Sequence, residues 1–126
     1  MSGVVYDAAI LLAADKNDRQ AWAEHKVRLE LGIVPSVLAP VVAQVSRSPK
    51  QAQLRRFLAG CAVIPIGERE AHEAGRLLAK SRTEDVVDAF VVIIGLRHNA
   101  MILTSDRRDI GRLIAASGRQ VAVFAV

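Results

Sequence analysis

Three aspartates stand where an apolar core is expected. Asp88 lies inside the apolar run VVDAFVV, and a carboxylate buried in such surroundings is costly unless a cation or hydrogen bonds satisfy it. Asp7 directly follows the apolar segment GVVY, and Asp106 comes just after the apolar segment AMILT. In an open α/β sheet, ligands bind outside the carboxyl ends of the strands. We therefore expect Asp7, Asp88 and Asp106 to converge there on a divalent metal ion.

The distribution of charge along the chain agrees with phosphate chemistry at such a site. Five of the 13 acidic residues lie between Glu84 and Asp109, although the whole chain has a formal net charge of +4. Carboxylates suit Mg²⁺, which is a hard cation that prefers oxygen ligands. A cluster of acids within a basic protein fits metal ions at a reacting phosphate, with surrounding cations contacting the neighbouring phosphates.

Length and composition predict one globular domain covering residues 1–126. Apolar residues make up 52% and charged residues 24% of the chain, which is a globular composition. The apolar runs are too short to span a bilayer, and the first residues lack a signal-peptide pattern, so we expect no membrane association and a cytoplasmic location. Cys61 is the single cysteine, so an internal disulfide is excluded. The three histidines show no zinc-ligand spacing.

Strand and helix patterns alternate along the chain, which predicts a parallel sheet with helices on both faces. We expect strands at 3–6, 33–34, 61–66, 100–104 and 120–126, with helices between them. The proline at position 40 leaves two possible starts for the helix that carries the valines of 37–45. The helix begins either near residue 35 or, if Pro40 lies in its first turn, near Ala39.

Each acid also has a purely structural explanation. Asp7 and Asp106 could cap the helices that follow them, and Asp85 could interact with a helix dipole. Asp88 could accept a hydrogen bond from a nearby backbone amide. The segment 81–84 (SRTE) matches a capping box, which would account for its glutamate. Capping explains these acids one at a time, but it does not explain their joint placement.

Three segments together resemble one known family. VVYDAAILLA, EDVVDAFVVIIGLRHNA and ILTSDRRDIGRL, in this order, resemble the PIN domain, and more narrowly the VapC-type toxins of bacterial toxin–antitoxin pairs. The similarity covers essentially the whole chain. It implies a PIN-like three-layer α/β/α fold with a mostly parallel central sheet. It also implies a ribonuclease that depends on Mg²⁺ or Mn²⁺ and cleaves RNA endonucleolytically.

The resemblance assigns roles to individual residues. The catalytic, metal-ligating aspartates of the family match three positions: Asp7, Asp88 and Asp106. Asp85 and Asp109 match further acids that are often present and would contribute to the metal site. The family normally carries a glutamate on the helix after the second strand, where this chain has Gln44. Because glutamine is neither an anionic ligand nor a base, we expect weaker metal binding, with the Gln44 carbonyl holding at most a metal-bound water.

The resemblance also implies partners: an RNA substrate, a cognate antitoxin protein and a second copy of the chain in a homodimer. Two other functions remain to be weighed. Gln44 could mark a PIN-like module that binds RNA or a protein partner without cleaving. A phosphatase that uses Asp7 as its nucleophile is disfavoured, because Ala9 occupies the position where the acid/base aspartate is expected. The purely structural explanation of Gln44 is a hydrogen-bonding amide on the protein surface.

Overall fold

The computed structural model describes residues 3–126, which form a single parallel sheet of five strands with helices on both faces. The first half of the chain contains these elements: β1 (Val4–Tyr6), α1 (Ala8–Asp15), α2 (Arg19–Glu30), β2 (Ser36–Leu38), α3 (Ala39–Val45), α4 (Ala52–Ala59) and β3 (Ala62–Ile64). The second half contains α5 (Glu68–Ser81), α6 (Val86–His98), β4 (Met101–Thr104), α7 (Arg107–Ser117) and β5 (Val123–Ala125). The predicted three-layer α/β/α architecture is confirmed, and the sheet is parallel throughout.

The strand order, β3-β2-β1-β4-β5, places β1 at the centre of the sheet. The chain moves outward from β1 through β2 to β3, then returns to the other side of β1 to form β4 and β5. The gap between β1 and β4 is therefore the switch point at which α/β proteins bind ligands. Tyr6 pairs with Leu103, so the two strands end at the same level. The Asp7 backbone N–H then donates to the Leu103 carbonyl at 2.9 Å, which holds the start of α1 against β4.

Helices α1 to α4 form one outer layer and α5 to α7 form the other. Helix α6 is apolar on all sides because it lies between the sheet and its two neighbouring helices. Its residues 91–96 are all buried, as are most residues of β1, β2 and β4. None of the helices within residues 3–126 is long and apolar enough to cross a membrane.

The predicted strand at 33–34 is wrong. The strand is β2, Ser36–Leu38, and α3 begins at Ala39 with Pro40 in its first turn. The second of the two predicted helix starts is therefore confirmed. The apolar run IVPSVL is compatible with a strand at 33–34 and an early helix start, and also with a strand at 36–38 and a helix that begins at Ala39. Pairing with the neighbouring strands selects the second arrangement. Val37 and Leu38 are fully buried because β2 lies between β1 and β3.

The predicted capping box at 81–84 is also wrong. Ser81 is the last residue of α5, and Arg82 ends that helix with a positive φ of 56°. The Ser81 hydroxyl donates to the Leu78 carbonyl at 3.2 Å. Asp85, not Ser81, caps α6, and Glu84 is an exposed residue before it. A short S-x-x-E segment can therefore end one helix rather than begin the next.

A cluster of aromatic rings supports β1 from the side of α2 and α4. His25 is buried, and its ring stacks on Phe57 with 4.0 Å between ring centroids. The Tyr6 hydroxyl lies 2.9 Å from His25 Nδ1 and accepts from Arg28 Nη1 at 3.1 Å. Desolvation and the nearby Arg28 charge lower the pKa of His25, so a neutral imidazole accepts the Tyr6 O–H. This cluster fixes the strand that ends at Asp7.

Candidate metal centre

Three carboxylates meet at the carboxyl edge of the sheet. Asp88, Asp106 and Asp109 each offer one carboxylate oxygen, and these oxygens all lie within 4.8 Å of one another. They come from the first turns of α6 and α7, which both begin at this edge. The positive ends of two helix dipoles therefore face the same small volume, which favours negative charge there.

The two helices build their ends in the same way. Each begins with the pattern D-x-x-D, in which the first aspartate caps the helix and the second is its third residue. Asp85 Oδ1 accepts the Asp88 N–H at 2.9 Å, and Asp106 Oδ1 accepts the Asp109 N–H at 3.3 Å. The capping interpretation is thus correct for Asp106, as it is for Asp7 at the start of α1, whereas the cap formed by Asp85 was not predicted. Because a cap uses one oxygen, the other oxygen of each carboxylate remains available to a ligand.

Asp7 stands next to these carboxylates and is held by its own donors. Its Oδ1 accepts the Ala8 N–H at 2.8 Å, and its Oδ2 accepts the Thr104 hydroxyl at 2.6 Å. The Thr104 oxygen in turn accepts the Asp106 N–H at 2.9 Å. Thr104 therefore ties the first aspartate, from β1, to the third, from β4, across the switch point. Asp7 is outside the compact group of three, and Thr104 connects it to that group.

Asp88 is the buried carboxylate of the group, and other acids are close to it. Asp88 is only 6% exposed, and its Oδ2 has no hydrogen-bond partner within residues 3–126. Burial raises the pKa of Asp88 to about 7, and the nearby charges of Asp85, Asp7, Asp106 and Asp109 add to the increase. An ionised carboxylate in this position is costly unless a cation satisfies it. An all-oxygen donor set around an unpartnered buried oxygen fits Mg²⁺ or Mn²⁺.

Gln44 is exposed at the surface of α3, which follows β2 at the same edge of the sheet. Within the described part of the chain its carboxamide makes no hydrogen bond to the aspartates. The structure thus brings Asp88, Asp106 and Asp109 together. It joins Asp85 to Asp88 by a direct hydrogen bond and Asp7 to Asp106 through Thr104, and it leaves Gln44 exposed.

Thr104 is expected to stabilise the fold through its hydroxyl. Thr104→Val keeps the shape of the side chain but leaves Asp7 Oδ2 and the Asp106 N–H without this partner, which should cost about 1–3 kcal/mol of unfolding free energy. Thr104→Ser is the matched control, since it retains the hydroxyl and loses one methyl group, worth roughly 1 kcal/mol. Urea unfolding in the absence of Mg²⁺ measures the unfolding free energy of both variants. A valine variant at least as stable as the serine variant would contradict this role.

Comparisons with known proteins give structural matches only. The sequence matches no protein-family model and no curated protein. The fold is similar to the crystal structure of VapBC2 from Rickettsia felis bound to a DNA fragment from its promoter, with a TM-score of 0.71 and 15% identity over 98% of each chain. It is also similar to a toxin–antitoxin complex from Klebsiella pneumoniae, with a TM-score of 0.66 and 18% identity over 85% of this chain and 89% of the other.

A third match is a protein from Pyrobaculum aerophilum, with a TM-score of 0.60 and 17% identity over 96% of this chain and 89% of the other. At these identities the matches establish the fold. The chain has the fold of a PIN domain, as its three sequence motifs indicated. The similar structures include VapBC2 and a toxin–antitoxin complex, and at 15–18% identity what this chain shares with them is the fold.

Proposed function

We propose that this chain is a divalent-metal-dependent endoribonuclease and the toxin of a VapC-type toxin–antitoxin pair. One observation carries the proposal: the carboxylates of Asp88, Asp106 and Asp109 meet at the switch point of the sheet, and the buried Oδ2 of Asp88 has no hydrogen-bond partner within residues 3–126. The fold shared with toxin–antitoxin complexes supports it. The aspartates matched by the sequence motifs stand at this same edge.

The metal-binding role falls first on Asp88, Asp106 and Asp109, with Asp7 beside them. A bound Mg²⁺ or Mn²⁺ would activate a water and neutralise charge on the scissile phosphodiester. Asp7 accepts a hydrogen bond at each of its two carboxylate oxygens, and from the β1 side it would orient the group. Asp85 holds the first turn of α6, and with it the position of Asp88.

Cationic side chains beside the carboxylates would contact the rest of the substrate. Arg107 and Arg108 begin α7, directly after Asp106, and both are exposed. In this position they can hold the phosphates that flank the scissile bond, without reading the sequence of bases.

An antitoxin and a second copy of the chain are the proposed protein partners. Exposed apolar side chains on and after α2 support a protein-binding surface: Val27 is 52% exposed and Leu31, one turn further on, is 71% exposed. For the homodimer we expect sedimentation at twice the monomer mass. A monomer at high concentration would contradict the dimer and leave the nuclease proposal intact.

The direct test of the function is RNA cleavage by the purified chain with Mg²⁺ or Mn²⁺, compared with the same reaction in EDTA. We expect cleavage only with the metal present. Retained RNA binding with no cleavage in either metal would favour the binding module, for which the exposed Gln44 is the one specific observation. Cleavage that is equal in EDTA would contradict the metal-dependent mechanism.

The substitution Gln44→Glu tests whether the side chain at position 44 can approach the bound metal. If the side chain can approach the carboxylate group, an added negative charge should tighten Mn²⁺ binding roughly three- to tenfold. Gln120→Glu is the control, because it adds the same charge at an exposed position after α7. Equal Mn²⁺ affinity in both variants and the wild type would show that Gln44 lies outside the site.

A further inference from the structure

A basic groove runs along the outer helix layer and is separate from the carboxylate group. It lies between α5, the second half of α6 and the segment after α7, and its volume is about 490 Å³. Its charged lining residues are Arg69, Glu73, Arg76, Lys80, Arg97 and Arg119. Leu77, Ile93 and Leu96 form its apolar floor. We refer to it below as the α5 groove.

The α5 groove concentrates positive charge. Its five cations and one carboxylate give a net charge of +4, which equals the formal net charge of the whole chain. Glu73 is already engaged, since it lies 3.2 Å from Arg97 and 3.4 Å from Arg69. Within residues 3–126, Arg76 and Lys80 have no ion pair or hydrogen bond through their side chains. These two cations are therefore available to an external anion.

The Lys80 end of the α5 groove lies toward the first turn of α6. Arg97, in the last turn of α6, bonds to Glu70 and Glu73 in the first half of α5, so these helices are antiparallel. The last turn of α5, with Lys80, therefore lies at the end of α6 that carries Asp88. Along α5 the groove cations recur after seven and then four residues, which places them on one face about 10 Å and 6 Å apart.

We propose that the α5 groove binds the phosphodiester backbone of single-stranded RNA and holds the segment that flanks the carboxylate group. This inference rests on the proposed function. A row of cations on α5 whose Lys80 end lies toward the end of α6 that carries Asp88 matches an anionic strand that continues to the carboxylate group. None of the described residues that line the groove is aromatic, so it offers no stacking platform for bases. It contacts phosphates, and binding there is independent of base sequence.

The test measures binding without catalysis. A fluorescein-labelled single-stranded 12-mer RNA is titrated with wild type, with Arg76→Ala/Lys80→Ala and with Lys50→Ala/Arg55→Ala, in EDTA at several salt concentrations. The last variant removes two exposed cations from the opposite helix layer and matches the charge change. We expect the groove variant to raise Kd about tenfold and to reduce the salt slope by about 1.4, or 0.7 per lost phosphate contact. The control should change Kd less than twofold.

Each other outcome overturns the proposal. Equal losses in the two variants would show a non-specific response to net charge, and no loss in the groove variant would show that RNA binds elsewhere. Competition by a polyglutamate 12-mer as effective as unlabelled RNA would show a site for acidic peptides. Because EDTA removes the metal, this result stands apart from the nuclease proposal: a chain that cleaves no RNA can still bind it through the groove.

Discussion

Asp88→Asn and Asp106→Asn should each lower Mn²⁺-dependent RNA cleavage by at least about 100-fold. Loss of residues that only orient metal ligands costs about 10- to 100-fold, so loss of a direct ligand should cost at least as much. Asn preserves the size of each side chain and, at position 106, one oxygen to cap α7. The initial rate of cleavage of a labelled RNA at saturating Mn²⁺ is the measurement.

Glu84→Gln is the matched control for this pair of variants. Glu84 is an acid of the same stretch, but it is exposed and lies outside the carboxylate group. Its replacement should leave the rate within about twofold of the wild type. Full activity in the Asp88 and Asp106 variants would mean that the carboxylate group is not the reacting centre. An equal loss in all three variants would point to net charge instead.

Asp88→Asn should stabilise the metal-free protein at pH 8. Burial raises the pKa of Asp88 to about 7, above the ordinary value of 3.8, so the folded state holds a proton that the unfolded state releases. The contribution of Asp88 to the stability of the wild type should therefore fall as pH rises from about 4 to 7 and then level off. The full shift corresponds to about 4 kcal/mol, and hydration at the open side of the group reduces this to roughly 2–3 kcal/mol.

Urea unfolding in EDTA at pH 4.5 and pH 8 measures this effect. The difference in unfolding free energy between the variant and the wild type reports on Asp88, because all other ionisable groups are the same in both proteins. We expect the variant to be more stable at pH 8, and this difference to shrink to about a quarter of that value at pH 4.5. Added Mn²⁺ should then stabilise the wild type more than the variant, since a ligand that binds only the folded state stabilises it. A difference that does not change with pH would contradict the unpartnered charge at Asp88.

The sequence was most informative where local patterns carry the structure. Asp7 and Asp106 follow short apolar strands, and Asp88 interrupts an apolar helix, so their joint placement followed from the rule that ligands lie at the carboxyl ends of parallel strands. The caps at Asp85 and Asp106, and the ends of α6 at Asn99 and α7 at Gly118, also depend on neighbouring residues alone.

Other features depend on contacts between distant residues, and the sequence did not fix them. β2 is three residues long, too short for an alternating pattern, and its position is set by pairing with β1 and β3. The burial of His25 comes from Tyr6 and Phe57, which are far away in the chain. The exposure of Gln44 likewise depends on how α3 is rotated against the sheet.

The α5 groove shows an intermediate case. The spacing of Arg69, Arg76 and Lys80 places three cations on one face of α5, but such a face usually contacts only solvent. Two further contributions, Arg97 from α6 and Arg119 after α7, convert the face into a groove. Those contributions follow from the antiparallel packing of α5 on α6, which only the folded structure reveals.

Calorimetric titration of Mn²⁺ into the wild type, Asp88→Asn and Glu84→Gln tests the metal centre most directly. We predict saturable binding to the wild type and to Glu84→Gln with similar affinity, and a Kd at least about tenfold higher for Asp88→Asn. Saturable binding with the same affinity in all three proteins, or no saturable binding to the wild type, would contradict a divalent-metal site formed by these carboxylates.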